Sequence, residues 1–121
     1  MASAALADNI VLDNKTNYPE EMISGKIAVQ WATSAEATQK ANKAIMNGSR
    51  LDASSLMMLS QKGQTQLTPP KQAQYFRIVA WSTSKQEPDL LTNWVGIVPN
   101  KTYTVNQDQL VPAILMAGSG C

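Results

Sequence analysis

The sequence predicts a mainly β chain: an antiparallel, sandwich-like single domain with one or two short helices, with an α+β arrangement as the alternative. Three observations carry this. Short runs of strand-forming residues recur along the chain, each bounded by Asn, Pro, Gly or Asp. Strands do not alternate with full amphipathic helices, as a doubly wound parallel sheet requires. The longest strand-forming run, residues 74–84 (Gln-Tyr-Phe-Arg-Ile-Val-Ala-Trp-Ser-Thr-Ser), holds three of the seven aromatic side chains and one of the two arginines. A length of 121 residues fits one domain. Folding at this size buries roughly two thirds of the unfolded surface, enough for one core without metal or disulfide staples. The β-rich domain is assigned to residues 9–117, with 1–8 as a loose Ala-rich arm and 118–121 as a tail.

In chain order, residues 10–12 are a short strand running into the turn cluster Asp-Asn-Lys-Thr-Asn-Tyr-Pro. Residues 23–31 form a second strand, in which Ile27, Val29 and Trp31 point one way and Ala28 and Gln30 the other. Thr33-Ser-Ala-Glu36 matches a capping box, and Asn47-Gly48 is a helix stop. The helix between them has a thin apolar stripe of Ala37, Ala41, Ala44 and Ile45, which predicts shallow docking. Residues 52–60 fit a second short helix, with Leu56 and Leu59 inward and Met57 and Met58 filling gaps. Residues 62–72 carry Pro69-Pro70 and read as a loop or an edge strand.

On the central strand Phe76, Ile78 and Ala80 share one face, while Tyr75, Arg77, Val79 and Trp81 share the other. Residues 85–89 make a turn, 90–98 a strand, and Pro99-Asn-Lys a hairpin tip. Residues 102–105 alternate, with Tyr103 and Val105 in and Thr102 and Thr104 out. Residues 106–109 turn again, and 110–116 close the chain as a strand or short helix. Val-x-Trp-x-Thr-Ser occurs at Val29 and again at Val79. This is either a trace of two equivalent strands or a coincidence of two strand ends.

The charge balance is +1, from ten Lys and Arg against nine Asp and Glu, which gives no electrostatic footprint for nucleic acid. Charged residues make up 16%, and 10 Gln, 8 Asn, 10 Ser and 9 Thr take their place. Such a surface recognises partners by hydrogen bonding and shape. The first residues lack a basic n-region and an apolar h-region, so no classical secretion signal is read. No window approaches the ~18 apolar residues of a membrane span. The expected location is cytoplasmic or particle-associated. The sequons at Asn14, Asn47 and Asn100 are read as chance matches that mark exposed turns.

The chain contains no histidine, and its one cysteine is Cys121. This removes Ser-His and Cys-His nucleophile pairs and zinc, haem or iron–sulfur ligation. No cofactor or metal site is expected. Cys121 is an incidental residue or a crosslink between subunits. The carboxylates are read as lying in turns, arms and helix starts, outside strands where burial raises a pKa. Glu87 and Asp89 flank Pro88 but are too few for a firm calcium site. The chain is therefore expected not to be an enzyme.

Arg77 is the most informative side chain. On a sheet face it must reach solvent, pair with a carboxylate, or stack on a ring. The functional alternative is an anchor for an anionic ligand or a partner subunit. Trp94, with Asn93, Asn100 and Tyr103 nearby in sequence, offers a ring-and-amide set suited to a sugar or lipid headgroup. Each of these residues also has a plain packing role open to it. Two classes of function remain. One is a self-assembling structural subunit, such as a coat, filament or tail component, forming a homo-oligomer. The other is a lectin-like module recognising a glycan, a lipid headgroup or a protein surface.

Overall fold

The computed structural model of the chain describes residues 9–20, 22, 25–46, 53–82 and 87–112. The assigned arm (1–8) and tail (118–121) lie outside them. Two β-sheets pack against each other, and one helix lies on the far side of the larger sheet. The elements are β1 (Ile10–Lys15), β2 (Lys26–Ala32), α1 (Ala35–Met46), β3 (Leu56–Leu59), β4 (Gly63–Leu67), β5 (Tyr75–Trp81), β6 (Leu90–Leu91), β7 (Val95–Gly96), β8 (Thr102–Asn106) and β9 (Val111–Pro112). The small sheet has the order β4-β1-β8. The large one runs β3-β2-β5-β6-β9, with β7 also paired to β5.

Alternation along the strands decides where the core sits. Ile27, Val29 and Trp31 of β2 and Phe76, Ile78 and Ala80 of β5 face the small sheet, which contributes Ile10, Leu12, Leu67, Tyr103 and Val105. Trp31, Phe76 and Tyr103 form an aromatic row, with Tyr103 edge-on to Phe76 at 4.8 Å between centroids. On the opposite face Ala28, Val79, Trp81 and Leu91 form a smaller cluster, with Ile45 of α1 and Leu56 of β3 packed against it. The face assignments read from the sequence hold for both strands.

Several elements differ from expectation. Residues 52–60 are not a helix: a 3-10 turn at Ala53–Ser55 leads into β3, which pairs antiparallel with β2. Leu-Met-Met-Leu is apolar on both sides of a pleat, and pairing with β2 buries Leu59 and half-buries Met57 in the main core. β1 runs on to Lys15, so Asp13 lies within a strand. It pairs in parallel with β8, making the small sheet mixed. Asn14 is buried instead of marking an exposed turn. Its amide donates to the Tyr18 carbonyl, and its oxygen accepts from the Thr16 N–H and hydroxyl.

The region read as one strand at 90–98 is two short strands, β6 and β7. Between them the Thr92 hydroxyl accepts the Ile78 N–H, taking over one rung of the ladder. The helix cap is Ser34, whose hydroxyl accepts the Ala37 N–H at 3.1 Å, one residue past the Thr33 of the predicted box. β4 forms at a sheet edge, and 113–116 lie outside the described residues. The Val-x-Trp echo falls on neighbouring antiparallel strands, with Trp31 and Trp81 on opposite faces of one sheet. The two copies are not equivalent.

Candidate functional site

Arg77 sits in the middle of β5, on the face turned toward α1, and is 1% exposed. Its register partner on β2 is Gln30, also buried. Arg77 Nε donates to Gln30 Oε1 at 2.7 Å, and Nη1 donates to Asn42 Oδ1 of α1 at 2.9 Å. The guanidinium carbon lies 4.4 Å from the centroid of the Trp94 ring, within cation–π range. Trp94 Nε1 donates to the same Asn42 oxygen at 3.2 Å.

The break after β6 builds this arrangement. β7 pairs Gly96 with Tyr75 and Val95 with Phe76, and one further step of that register sets Trp94 beside Arg77. The ring then covers the cation instead of joining the main core.

The electrostatics of the site are unfinished. Arg77 Nη2 is buried and has no hydrogen-bond partner. No carboxylate among the described residues pairs with the guanidinium. Burial pushes its pKa well below the usual arginine range, down to about 10, so the group remains a cation at neutral pH. A buried charge without a countercharge costs several kcal/mol. Hydrogen bonds from Arg77 to two neutral amides and a ring contact offset only part of that cost.

The predicted site residues divide into separate places. Arg77 and Trp94 come together. Asn93 is exposed, and its carbonyl accepts the Thr92 hydroxyl. Asn100 is exposed at the turn before β8, with a left-handed φ of 66° and its N–H on the Asn9 carbonyl. Tyr103 is buried between the sheets. Its hydroxyl donates to the Gly96 carbonyl and accepts the Val98 N–H, both at 2.8 Å, so its polar end is used within the fold. Gln30 and Asn42 complete the Arg77 site, though sequence reasoning did not single them out. Gln30 carried a usable signal, an amide between Ala28 and Ala32 on one strand face. Asn42 carried none, because its place depends on how α1 docks.

A second feature is an open groove of about 830 Å³ at one end of the large sheet. Pro69, Pro70, Gln72, Tyr75, Ile97 and Pro99 are among its lining residues. Gln72 holds a positive φ of 75°, a conformation that costs a non-glycine residue energy.

Among the described residues the carboxylates make no comparable site. The Asp89 carboxylate accepts the Ser82 N–H and hydroxyl, which ties the turn back to β5. Among the described residues no three acidic, histidine or cysteine side chains cluster as a metal site would need. No described helix is long and apolar enough to cross a membrane. No protein-family model matches the chain, and no curated protein matches it.

Proposed function

We propose that the chain is a non-catalytic structural subunit that assembles with copies of itself by pairing sheet edges. The observation that carries this reading is the chemistry of the edges. β3, β4 and β8 each end a sheet, and their sequences Leu-Met-Met-Leu, Gly-Gln-Thr-Gln-Leu and Thr-Tyr-Thr-Val-Asn contain no charged residue. Soluble monomers ordinarily guard edge strands with Lys, Pro, bulges or inward charges, because a free ladder recruits other strands. Of the strands that end the two sheets only β9, at the other end of the large sheet, carries a proline.

β3 is the strongest candidate: its backbone is paired on one side only among the described strands, and Met58 is 52% exposed. The absence of histidine from the whole chain supports the non-catalytic half of the reading. A subunit of this kind would work in the cytoplasm or on a particle.

Size-exclusion chromatography with light scattering and negative-stain microscopy tests the reading. Uniform species well above the 13.1 kDa chain mass are expected. Met58→Lys is expected to reduce them to monomer without lowering the melting temperature of the monomer. A wild-type chain that stays monomeric at high micromolar concentration sinks the proposal.

The groove favours a second reading, a binding module for a glycan, lipid headgroup or protein surface. Its volume falls in the range of ligand clefts, and it mixes ring surfaces with amides. Binding on a glycan or liposome panel that Tyr75→Ala removes would support this alternative.

A further inference from the structure

Helix α1 and Trp94 close over Arg77, and the closure leaves a gap in hydrogen bonding. Nη1 and Nη2 present adjacent N–H groups. Nη1 meets a neutral amide oxygen, and Nη2 meets nothing although it is buried. Trp94 Nε1 donates to the same Asn42 oxygen. Donors from two residues therefore converge on one uncharged acceptor. The other neighbour, Gln30, is neutral as well and already occupies Nε.

The paired N–H groups of a guanidinium match the two oxygens of a carboxylate in one plane. A single cation surrounded by neutral groups suits a monoanion better than a phosphate, which would need a second positive charge to balance it.

We propose that the Arg77 fork is a carboxylate-binding site, with the Asn42 amide occupying it in the free chain. On binding, the Asn42 side chain swings away. The carboxylate oxygens accept from Nη1 and Nη2, and Trp94 Nε1 supplies a third hydrogen bond. Entry need not disturb the core between the sheets. Asn42 is exposed, and no α1 side chain from Ala35 to Ile45 is buried, so this wall of the site is held by half-buried side chains alone. The carboxylate comes either from a free organic acid or from an acidic side chain of a second copy.

Thermal denaturation in sodium acetate against sodium chloride at equal ionic strength tests the proposal, together with a series of protein concentrations. Acetate is expected to raise the wild-type melting temperature and to change tryptophan emission, and Arg77→Met is expected to abolish both responses. Asn42→Asp places a carboxylate on the site from within the chain. It is expected to raise the melting temperature by about 4 °C or more, on the scale that one kcal/mol has for small domains, and to remove the response to acetate. An acetate response that is independent of protein concentration assigns the free acid. A rise that follows protein concentration and disappears in Asn42→Asp assigns the second copy. An Asn42→Asp protein at or below the wild-type melting temperature overturns the proposal. So does a wild-type protein that responds neither to acetate beyond chloride nor to its own concentration. The acetate and concentration series are run in Met58→Lys as well as in the wild type. That change removes edge pairing, which by itself makes a melting temperature depend on concentration, and leaves this site intact.

Discussion

Toward the small sheet, β5 presents Phe76, Ile78 and Ala80, each covered by apolar side chains from several strands. Toward α1 the same strand presents Arg77, Val79 and Trp81, flanked in the sheet by Ala28, Leu91 and Leu56, packed against Ile45 of α1, and met at Arg77 by two amides and a ring. Both faces exclude water, but different forces close them. The first is held by area and shape, which are non-directional and cumulative. The second holds a cation by a few directional bonds, and those leave one donor unused. One strand can thus serve as the centre of the fold on one face and hold an incompletely satisfied cation on the other.

The largest expected effect breaks the first face. Phe76→Ala removes a ring packed against both Trp31 and Tyr103. It is expected to cost ~3–5 kcal/mol in chemical denaturation, the usual range for a buried aromatic truncated to alanine. A loss below about 1 kcal/mol would mean that the aromatic row is not what joins the two sheets.

On the second face, Gln30→Ala removes the acceptor of Arg77 Nε. It strands a further buried donor of a charged group. Hydrogen bonds to charged groups are worth ~1.5–3 kcal/mol, and a loss of that size is expected. Gln30→Ala with Arg77→Met is expected to recover part of it, since removing both partners removes the unpaired charge. If the double variant is less stable than Gln30→Ala alone, the guanidinium is contributing more than it costs in its present setting.

How much of this was legible in the sequence follows the same division. The apolar alternation of β2 and β5 fixes which side chains face the main core, because period two admits one register of faces. The position of Arg77 opposite that core was readable for the same reason. Its partners were not. Gln30 becomes its neighbour through pairing across 47 positions, and Asn42 through the docking of a helix with no strong apolar stripe. Tyr103 and Trp94 looked alike in the sequence, each an aromatic beside amides. Strand β8 turns one inward, and the break after β6 lays the other on the cation. Residues 56–59 were misread because four consecutive apolar residues satisfy a short helix as well as a strand buried on both faces. The vacant place beside β2 decides between them, and that is a long-range fact.

The smallest effect concerns α1 alone. Ser34 accepts the Ala37 N–H at the helix start, and no described α1 side chain is buried deeply enough to compensate for its loss. Ser34→Ala is expected to cost about 1 kcal/mol, and Ser34→Gly a few tenths. The distribution of the effect matters more than its size. If α1 is a loosely held cover over Arg77, Ser34→Ala should speed hydrogen exchange in α1 while the amides of β2 and β5 keep their protection. Local opening of that kind draws on the least stable contacts of a fold. Equal acceleration in helix and strands would instead tie α1 to the global unfolding unit. The two faces of β5 would then share one cooperative core.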